Sequence, residues 1–536
     1  MRTLAALGPP GTGKTTFGLE LVTDWKRRLA PQEIGYLAFT RAAAYEAMER
    51  VGGDKESHPW FRTIHSLCYR LQRDVGNAQV MTGAHYKRFA EETGMEGTYA
   101  VESHDDLAEV YLKLQGGGKT VWDRCRTAFT LSRLMARTPD DLDAARHRVA
   151  PEALTRIGFL YKDQYGAFVK AYDAFRKKNG LVDFTDMLEW ALRHGVGPPL
   201  RRVIVDEAQD LCPLHFAILW RLFHNVEELW MIGDDDQSIY KFSGASAEEF
   251  LSHIRPHPKV ILRQTHRFGK GIVDFSARII SRVSERIQKD IIGLNGKTGA
   301  VISSHEFKPA PGRYLILHRH VDGCRDVAAS FMEAGIPFSN ERGKDPLSSG
   351  NRIKAYLALV ALSAGEQVTI GRLQTLLGEE IPSTFITPAP EEQKIRYMPH
   401  GAKKKLEEIV GNIPVNIDEL VKRKLLTENG AMVVREKDFA SLKHEADLRF
   451  YDKVERNGYP LSKKNAPIIT TIHGSKGRQA PHVVVFTETS RRCWEDSDSE
   501  HRLAYVAATR TQGDVTICEE RRVDWASAPY LYPLEA

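Results

Sequence analysis

Thr3-Leu4-Ala5-Ala6-Leu7 runs straight into Gly8-Pro9-Pro10-Gly11-Thr12-Gly13-Lys14-Thr15-Thr16, after which Phe17, Leu19, Leu21, Val22 and Trp25 recur among charged residues. An apolar run, a glycine-rich turn and then helical periodicity read as strand, loop and helix. Gly8 to Thr15 fits G-x-x-x-x-G-K-[ST] in that context. The glycines let backbone N–H groups converge on a phosphate, and the N-terminus of the following helix adds partial positive charge. Gly8, Pro9, Pro10, Gly11, Thr12, Gly13 and Thr16 form the cradle. Lys14 supplies a cation to the β/γ-phosphates and Thr15 a hydroxyl to Mg²⁺.

Similar short apolar runs recur at 34–39, 203–205, 229–232, 260–262, 314–317, 468–471, 483–486 and 515–518. Each is bounded by polar or glycine signals and most lead into helical periodicity, the pattern of buried parallel strands in an α/β protein. Two intervals, about 73–199 and 366–464, are charged and lack apolar β runs; they read as helical insertions into two α/β cores. With 536 residues the chain is long enough for three to five domains. Its apolar fraction of 42% and net charge of +5 exclude disorder as the main state. The sequence holds no apolar run long enough to span a bilayer and no secretory leader ahead of the first strand, so a cytoplasmic protein is expected. The six cysteines are scattered without CxxC or Cys/His clusters, which argues against structural zinc, iron–sulfur clusters and a disulfide framework. A pI near 8.7 permits nucleic acid as a partner without requiring it.

Two further segments place chemistry at strand ends. Val203-Ile204-Val205-Asp206-Glu207-Ala208-Gln209-Asp210 is an apolar strand ending in acids. Asp206 there can hold Mg²⁺ beside the phosphate loop, and Glu207 can take a proton from an attacking water. Gly233-Asp234-Asp235-Asp236-Gln237 follows another apolar run, and the amide of Gln237 can bond both a γ-phosphate oxygen and the lytic water.

Taken in order, the segments resemble those of superfamily-one DNA helicases of the UvrD/Rep type. Phe39-Thr40-Arg41-Ala42-Ala43-Ala44 is similar to the segment after the second strand. Thr63-Ile64-His65-Ser66 is similar to the T-x-H-S element, and Asp183-Phe184-Thr185-Asp186-Met187-Leu188 to DFxDL. Gly233 to Ala245, GDDDQSIYKFSGA, is the most similar single segment. Gln264 to Phe268 resembles the arginine motif, Thr470 to Gly477 the T-x-H-x-x-K-G element, and Arg502 to Arg510 RLxYVAxTR.

This resemblance implies two RecA-like domains of parallel sheets flanked by helices, each with a largely helical insertion. The expected boundaries are 1–72 with 200–256 for the first domain, 73–199 for its insertion, 257–365 with 465–536 for the second, and 366–464 for a reduced second insertion. It implies ATP and Mg²⁺ as cofactors, with Lys14, Glu207, Gln237, Arg267 and Arg510 as the catalytic set. The two arginines would reach from the second domain to the γ-phosphoryl, where guanidinium forks stabilise developing charge. Phe39, Thr40, Thr63, His65, Thr471 and His473 would contact single-stranded DNA without reading sequence. Tyr240 and Phe242 would offer faces for base stacking, with phenylalanine where many relatives have tryptophan.

The implied activity is an ATP-dependent helicase and translocase moving 3′→5′, working as a monomer on single strands and single/double-strand junctions. The nucleoid or a viral replication complex are settings left open. Rival readings are a strand-stimulated translocase that strips proteins or needs a partner to unwind, and a small-molecule NTPase or kinase.

Three departures from the family pattern stand out. The seven residues ahead of Gly8 contain no adenine-reading glutamine, so a looser nucleotide preference stays open. Arg478-Gln479 replaces the usual Leu-Glu, leaving Gln479 to bond the ribose. The arginine motif reads THRF. Basic clusters at Arg176-Lys177-Lys178, Lys403-Lys404-Lys405 and Lys422-Arg423-Lys424 suit either a solvated helix face or duplex phosphate, and the acids from Glu495 to Glu500 suit an exposed loop.

Overall fold

The structure is a computed structural model describing residues 1–73, 79–97, 120–135, 162–296, 299–340, 345–386, 414–423, 425–490, 493, 497–519, 526–527 and 532. The Lys403-Lys404-Lys405 cluster, Lys424, Glu495 and Asp496 lie outside the described residues. The chain divides into two units, Met1–His305 with Ile472–Ala536, and Glu306–Thr471.

The first unit is built on strands β1 (Arg2–Leu7), β2 (Ile34–Leu37), β3 (Phe61–Arg62), β4 (Arg202–Val205), β5 (Glu228–Gly233) and β6 (Lys259–Ile261). Their spatial order is β3-β2-β4-β5-β1-β6, and every pairing is parallel. Both faces are covered, as a parallel sheet requires. Leu4 and Ala6 point to the face packed by Leu19, Val22 and Trp25, while Ala5 and Leu7 point to the face holding Leu188, Phe216 and Leu219. This period of two within a run apolar on both sides is the β signature that the sequence displays.

Register positions the chemistry. Leu7 lies opposite Gly233, and Val205 opposite Met231, so β1, β4 and β5 end at the same edge of the sheet. The phosphate loop, Asp206 and Asp234 therefore leave the sheet side by side, where ligands bind in open α/β folds.

The described part of the first insertion is helical, with helices Val121–Leu134, Lys162–Asn179 and Phe184–His194 around Phe129, Phe168 and Tyr172. A two-residue parallel pair, Gln79–Val80 with Leu181–Val182, lies within this largely helical region; it is too short to show periodicity. Asp183 caps the helix Phe184–His194 through Asp186 N, at 2.8 Å, and also holds buried Arg133 at 3.0 Å. The DFxDL-like segment thus starts a helix and fixes an ion-pair hub. Arg176, first of a basic cluster, is buried in the same hub against Asp183 and Asp186 and does not sit on a solvated face.

The first unit also carries Ala480–Phe486 and Val301–Ser304, each paired in parallel with Thr511–Cys518. The helix Ser497–Ala508 is buried from Leu503 to Ala508. In the second unit, Leu315–His318 and Ser339–Asn340 pair in parallel with Ile468–Thr471. Helices Val321–Ala334, Gly350–Ser363, Glu428–Glu436 and Glu445–Arg456 accompany them. Parallel strands flanked by helices thus form, as the sequence pattern indicates. No described helix is long and apolar enough to cross a membrane.

Candidate functional site

Gly11 and Gly13 adopt φ of 77° and 78°, a left-handed backbone natural to glycine, and this turns the loop into the helix Lys14–Trp25. A Cβ at Gly11 would lie 2.6 Å from Cβ of Arg267. The Lys14 ammonium donates to Gly8 O at 2.8 Å, so it lies folded over the loop's own mouth. Thr12 Oγ1 ties the turn to Pro9 O at 2.8 Å, and Thr16 Oγ1 accepts from Arg50 at 3.0 Å. The arginine-motif segment packs on this loop. Thr265 Oγ1 donates to Pro10 O and the His266 amide to Gly11 O, both at 2.8 Å.

Thr15 Oγ1 donates to Asp206 Oδ2 at 3.0 Å, bringing a hydroxyl and a carboxylate together at the loop's edge. Hard oxygen donors of this kind fit Mg²⁺. The same Oδ2 accepts from Tyr36 OH at 2.6 Å, a contact absent from the sequence reading. Burial, and then the Glu207 charge, push the Asp206 carboxyl up to about 6, while the Tyr36 and Thr15 hydrogen bonds and Lys14 restrain it. Tyr36 itself is pushed well above its usual range by burial and by Asp206.

Glu207 stands at φ 52°, a left-handed conformation uncommon outside glycine. Its carboxylate accepts from Gln209 Nε2 at 2.6 Å. Burial raises its proton affinity, but Lys14, Lys476, the Gln209 bond and Arg510 together outweigh that and hold it below the usual carboxylate range. A group held ionised in this way can accept a proton.

Gln237 lies between opposite partners. Its Nε2 donates to Asp234 Oδ2 at 2.7 Å, and its Oε1 accepts from Arg510 Nη2 at 3.0 Å. The amide orientation is fixed from both ends. Arg510 is fully buried and also donates to Val506 O at 3.0 Å; burial and then Arg267 push its guanidinium down to about 9. Arg267 donates to Thr509 O at 2.9 Å, and its buried Nε has no partner. Both arginines belong to the same unit as the phosphate loop, with Gln237 and Arg510 273 positions apart in the chain.

Two ion-pair systems behind these groups escape motif reading. Lys476 Nζ meets Asp210 at 2.6 and 2.5 Å and Gln237 O at 3.0 Å, above the Tyr240 ring. Burial pushes Asp210 up to about 7 against the pull of Lys476. Lys289, with no exposed side-chain surface, meets Asp234 at 3.1 Å, Asp235 at 2.5 Å and Asp236 at 3.0 Å. Arg286 grips Asp236 at 2.6 Å, and Arg502 donates to Asp235 O at 3.1 Å. Three adjacent aspartates that cannot all face water were the available signal, since buried carboxylates demand cations.

The residues expected to contact a strand fall into two groups. Phe39 and Tyr240 stack at 5.5 Å, Phe242 meets Tyr240 edge-on at 5.8 Å, and His473 meets Phe242 edge-on at 5.3 Å. All four are buried, so in this conformation their faces are turned to one another. Thr40 and Thr63 serve their helices, accepting from Ala43 N at 3.1 Å and Ser66 N at 3.2 Å. His65 packs against His215, and burial lowers its proton affinity to a pKa of about 4, leaving it neutral. Thr471 ends a strand of the second unit. Gln479 is exposed just after Gly477, whose φ is 82°.

Comparison with known proteins decides the family. The UvrD/REP helicase N-terminal domain model matches residues 2–258 and the UvrD-like helicase C-terminal domain model residues 468–518, together more than half of the chain. The chain belongs to the UvrD/Rep helicase family. The N-terminal match contains Lys14, Asp206, Glu207 and Gln237, and the C-terminal match contains His473, Lys476 and Arg510.

Among UvrD/Rep relatives, an ATP-dependent DNA helicase PcrA of Staphylococcus epidermidis is 22% identical across 73% of this chain and 55% of its own length. A PcrA of Staphylococcus aureus is 24% identical across 97% and 79%. A PcrA of Bacillus subtilis is 25% identical across 54% and 39%. The chain thus spans about half of the length of the first of these relatives.

Proposed function

We propose that this chain is an ATP-dependent DNA helicase and translocase that moves 3′→5′ along single-stranded DNA and acts at single/double-strand junctions in the cytoplasm. The observation that carries the reading is the Arg510–Gln237–Asp234 chain of contacts beside Lys14 and Thr15. It couples a C-terminal cation to the amide best placed to sense a γ-phosphate. Bound ATP·Mg²⁺ supplies the phosphoryl group to be transferred; Thr15 and Asp206 would hold the metal. Lys14 would exchange Gly8 O for phosphate oxygens. Glu207 would accept the proton of the attacking water, and Arg267 and Arg510 would stabilise charge on the γ-phosphoryl. The family names of PcrA relatives, ATP-dependent DNA helicases, support the same activity. A single strand would run over Phe39, Thr40, Thr63, Tyr240, Phe242, Thr471 and His473 once the aromatic stack opens.

The test is ATP hydrolysis by the purified chain with and without single-stranded DNA or RNA, followed by unwinding of duplexes tailed at either end. Stimulation by single-stranded DNA with unwinding of 3′-tailed duplexes is expected, and Lys14→Ala removes hydrolysis while keeping the thermal unfolding midpoint. Stimulation without unwinding would favour a protein-stripping translocase or a partner-dependent subunit. Hydrolysis indifferent to any polynucleotide would overturn the assignment in favour of a small-molecule NTPase.

A further inference from the structure

Tyr505, in the helix Ser497–Ala508, has no exposed surface, and its hydroxyl is buried without a hydrogen-bond partner. Buried hydroxyls are nearly always bonded, so an unbonded one beside a nucleotide site calls for a role. The helix packs on the turn Asp235–Gln237, and contacts on either side of Tyr505 fix which face it presents. One turn before it, Arg502 donates to Asp235 O at 3.1 Å and to Glu285 O at 2.7 Å. One turn after it, Thr509 Oγ1 donates to Tyr505 O at 2.8 Å, and Arg510 holds Gln237 Oε1 at 3.0 Å. Positions three and four apart share a helix face, so Tyr505 faces the same turn as Arg502 does.

The surrounding charges agree with that placement. Burial first, and then Asp234 and Asp236, push the Tyr505 hydroxyl well above its usual range, against Arg286 and Arg510. The hydroxyl therefore keeps its proton as a donor, and Asp234 is the charge that acts on it most strongly. Asp236 is already occupied, since Arg286 grips its two oxygens at 2.8 and 2.6 Å. Asp234 Oδ1 meets Lys289 Nζ at 3.1 Å and the Asp236 amide at 3.3 Å, whereas Oδ2 accepts from Gln237 Nε2 at 2.7 Å. A Gln237 amide that swings from Asp234 toward a γ-phosphate and the lytic water leaves this fully buried carboxylate short of a donor, which is costly.

We propose that Tyr505 is a positioning residue that takes over Asp234 Oδ2 when Gln237 swings to the γ-phosphate. In the observed arrangement Gln237 holds the carboxylate and the tyrosine hydroxyl stands ready. In the engaged arrangement the hydroxyl holds it, and the amide is released to orient water. The exchange keeps a donor on Oδ2 throughout, so the swing strands no buried charge. The proposal rests on the ATP-hydrolysis reading and deepens it by naming the group that frees Gln237.

The test measures steady-state ATP hydrolysis and thermal unfolding for the full chain, Tyr505→Phe, Gln237→Ala and the double variant. Tyr505→Phe is expected to lower kcat by about 10-fold or more, the scale of a hydrogen bond to a charged group, with KM for ATP moved by less than about 3-fold. Its unfolding midpoint without nucleotide should match that of the unmodified chain, because the hydroxyl has no bond to lose there. In the Gln237→Ala background, where no amide leaves Asp234, the same substitution should alter the residual rate by less than about 2-fold. A kcat equal to that of the unmodified chain would overturn the proposal while leaving the hydrolysis reading standing. An equal loss of kcat in both backgrounds, or a lowered midpoint without nucleotide, would also overturn it, since either marks a purely structural tyrosine. Failure of the unmodified chain to hydrolyse ATP would remove both the proposal and the reading beneath it.

Discussion

Replacing Tyr36 by phenylalanine removes one hydroxyl and nothing else from the buried sheet, yet the consequence should reach the metal site. Tyr36 OH donates to Asp206 Oδ2 at 2.6 Å, and the carboxyl stands at about 6 with that bond in place. A hydrogen bond to a charged group contributes about 1.5–3 kcal/mol. Its loss favours the protonated form by that amount, which is about 1–2 pKa units at 1.36 kcal/mol per unit. Asp206 in Tyr36→Phe would then titrate near pH 7–8, by roughly this increment. The sign is fixed by competition: a proton on the carboxyl must leave before Mg²⁺ binds. At pH 7 the native carboxylate is about nine-tenths ionised, whereas in the variant only about a tenth to a half is ionised, weakening apparent Mg²⁺ affinity by roughly 2- to 10-fold. Near pH 9 most of the difference should vanish. Half-saturating Mg²⁺ for ATP hydrolysis, measured from pH 6 to 9 in both proteins, reads this directly. Identical Mg²⁺ curves at pH 7, or a defect unchanged by alkali, would refute the reasoning that Tyr36 keeps Asp206 ionised.

Two other substitutions probe the scaffold around the site. Lys289→Met leaves Asp234, Asp235 and Asp236 without their central cation, and removing one member of a buried ionic cluster typically costs about 3–5 kcal/mol. Urea unfolding should register that loss; a change below about 1 kcal/mol would mean that Arg286 alone neutralises the aspartates. Gly11→Ala forces alanine into φ 77° and a Cβ against Arg267, so a cost of at least about 1–2 kcal/mol in thermal unfolding and weakened nucleotide binding are expected. Unaltered binding would show that the loop relaxes at no cost.

The strands at the heart of the fold were legible because burial on both faces leaves an uninterrupted apolar run. Ile34–Leu37, Arg202–Val205 and Glu228–Gly233 all form where such runs stand. Phe61–Arg62 and Ser339–Asn340 were not, since two residues carry no periodicity, and Val301–Ser304 ends in serines that dilute its signal. At the site, Lys14, Asp206, Glu207 and Gln237 could be read because loop geometry obliges particular residue types at strand ends. Tyr36 could not: within an apolar strand its ring looks like packing, and only the fold reveals what its hydroxyl faces. Lys289 and Lys476 share that obscurity. Each meets its aspartate across a long sequence interval, 54 and 266 residues respectively, so neighbouring residues say nothing of the pairing.

That last separation also bears on how the protein comes into being. During synthesis Asp210 emerges long before Lys476, and Gln237 long before Arg510. At typical elongation rates of about 5–20 residues per second, the interval is roughly 13–53 s. Throughout it, the nascent amino-terminal sheet carries carboxylates whose counter-charges have yet to be translated. Its final settling therefore waits on the ribosome, and a chain stalled before the helix Ser497–Ala508 would expose an acidic, half-finished nucleotide pocket to the cell's quality control.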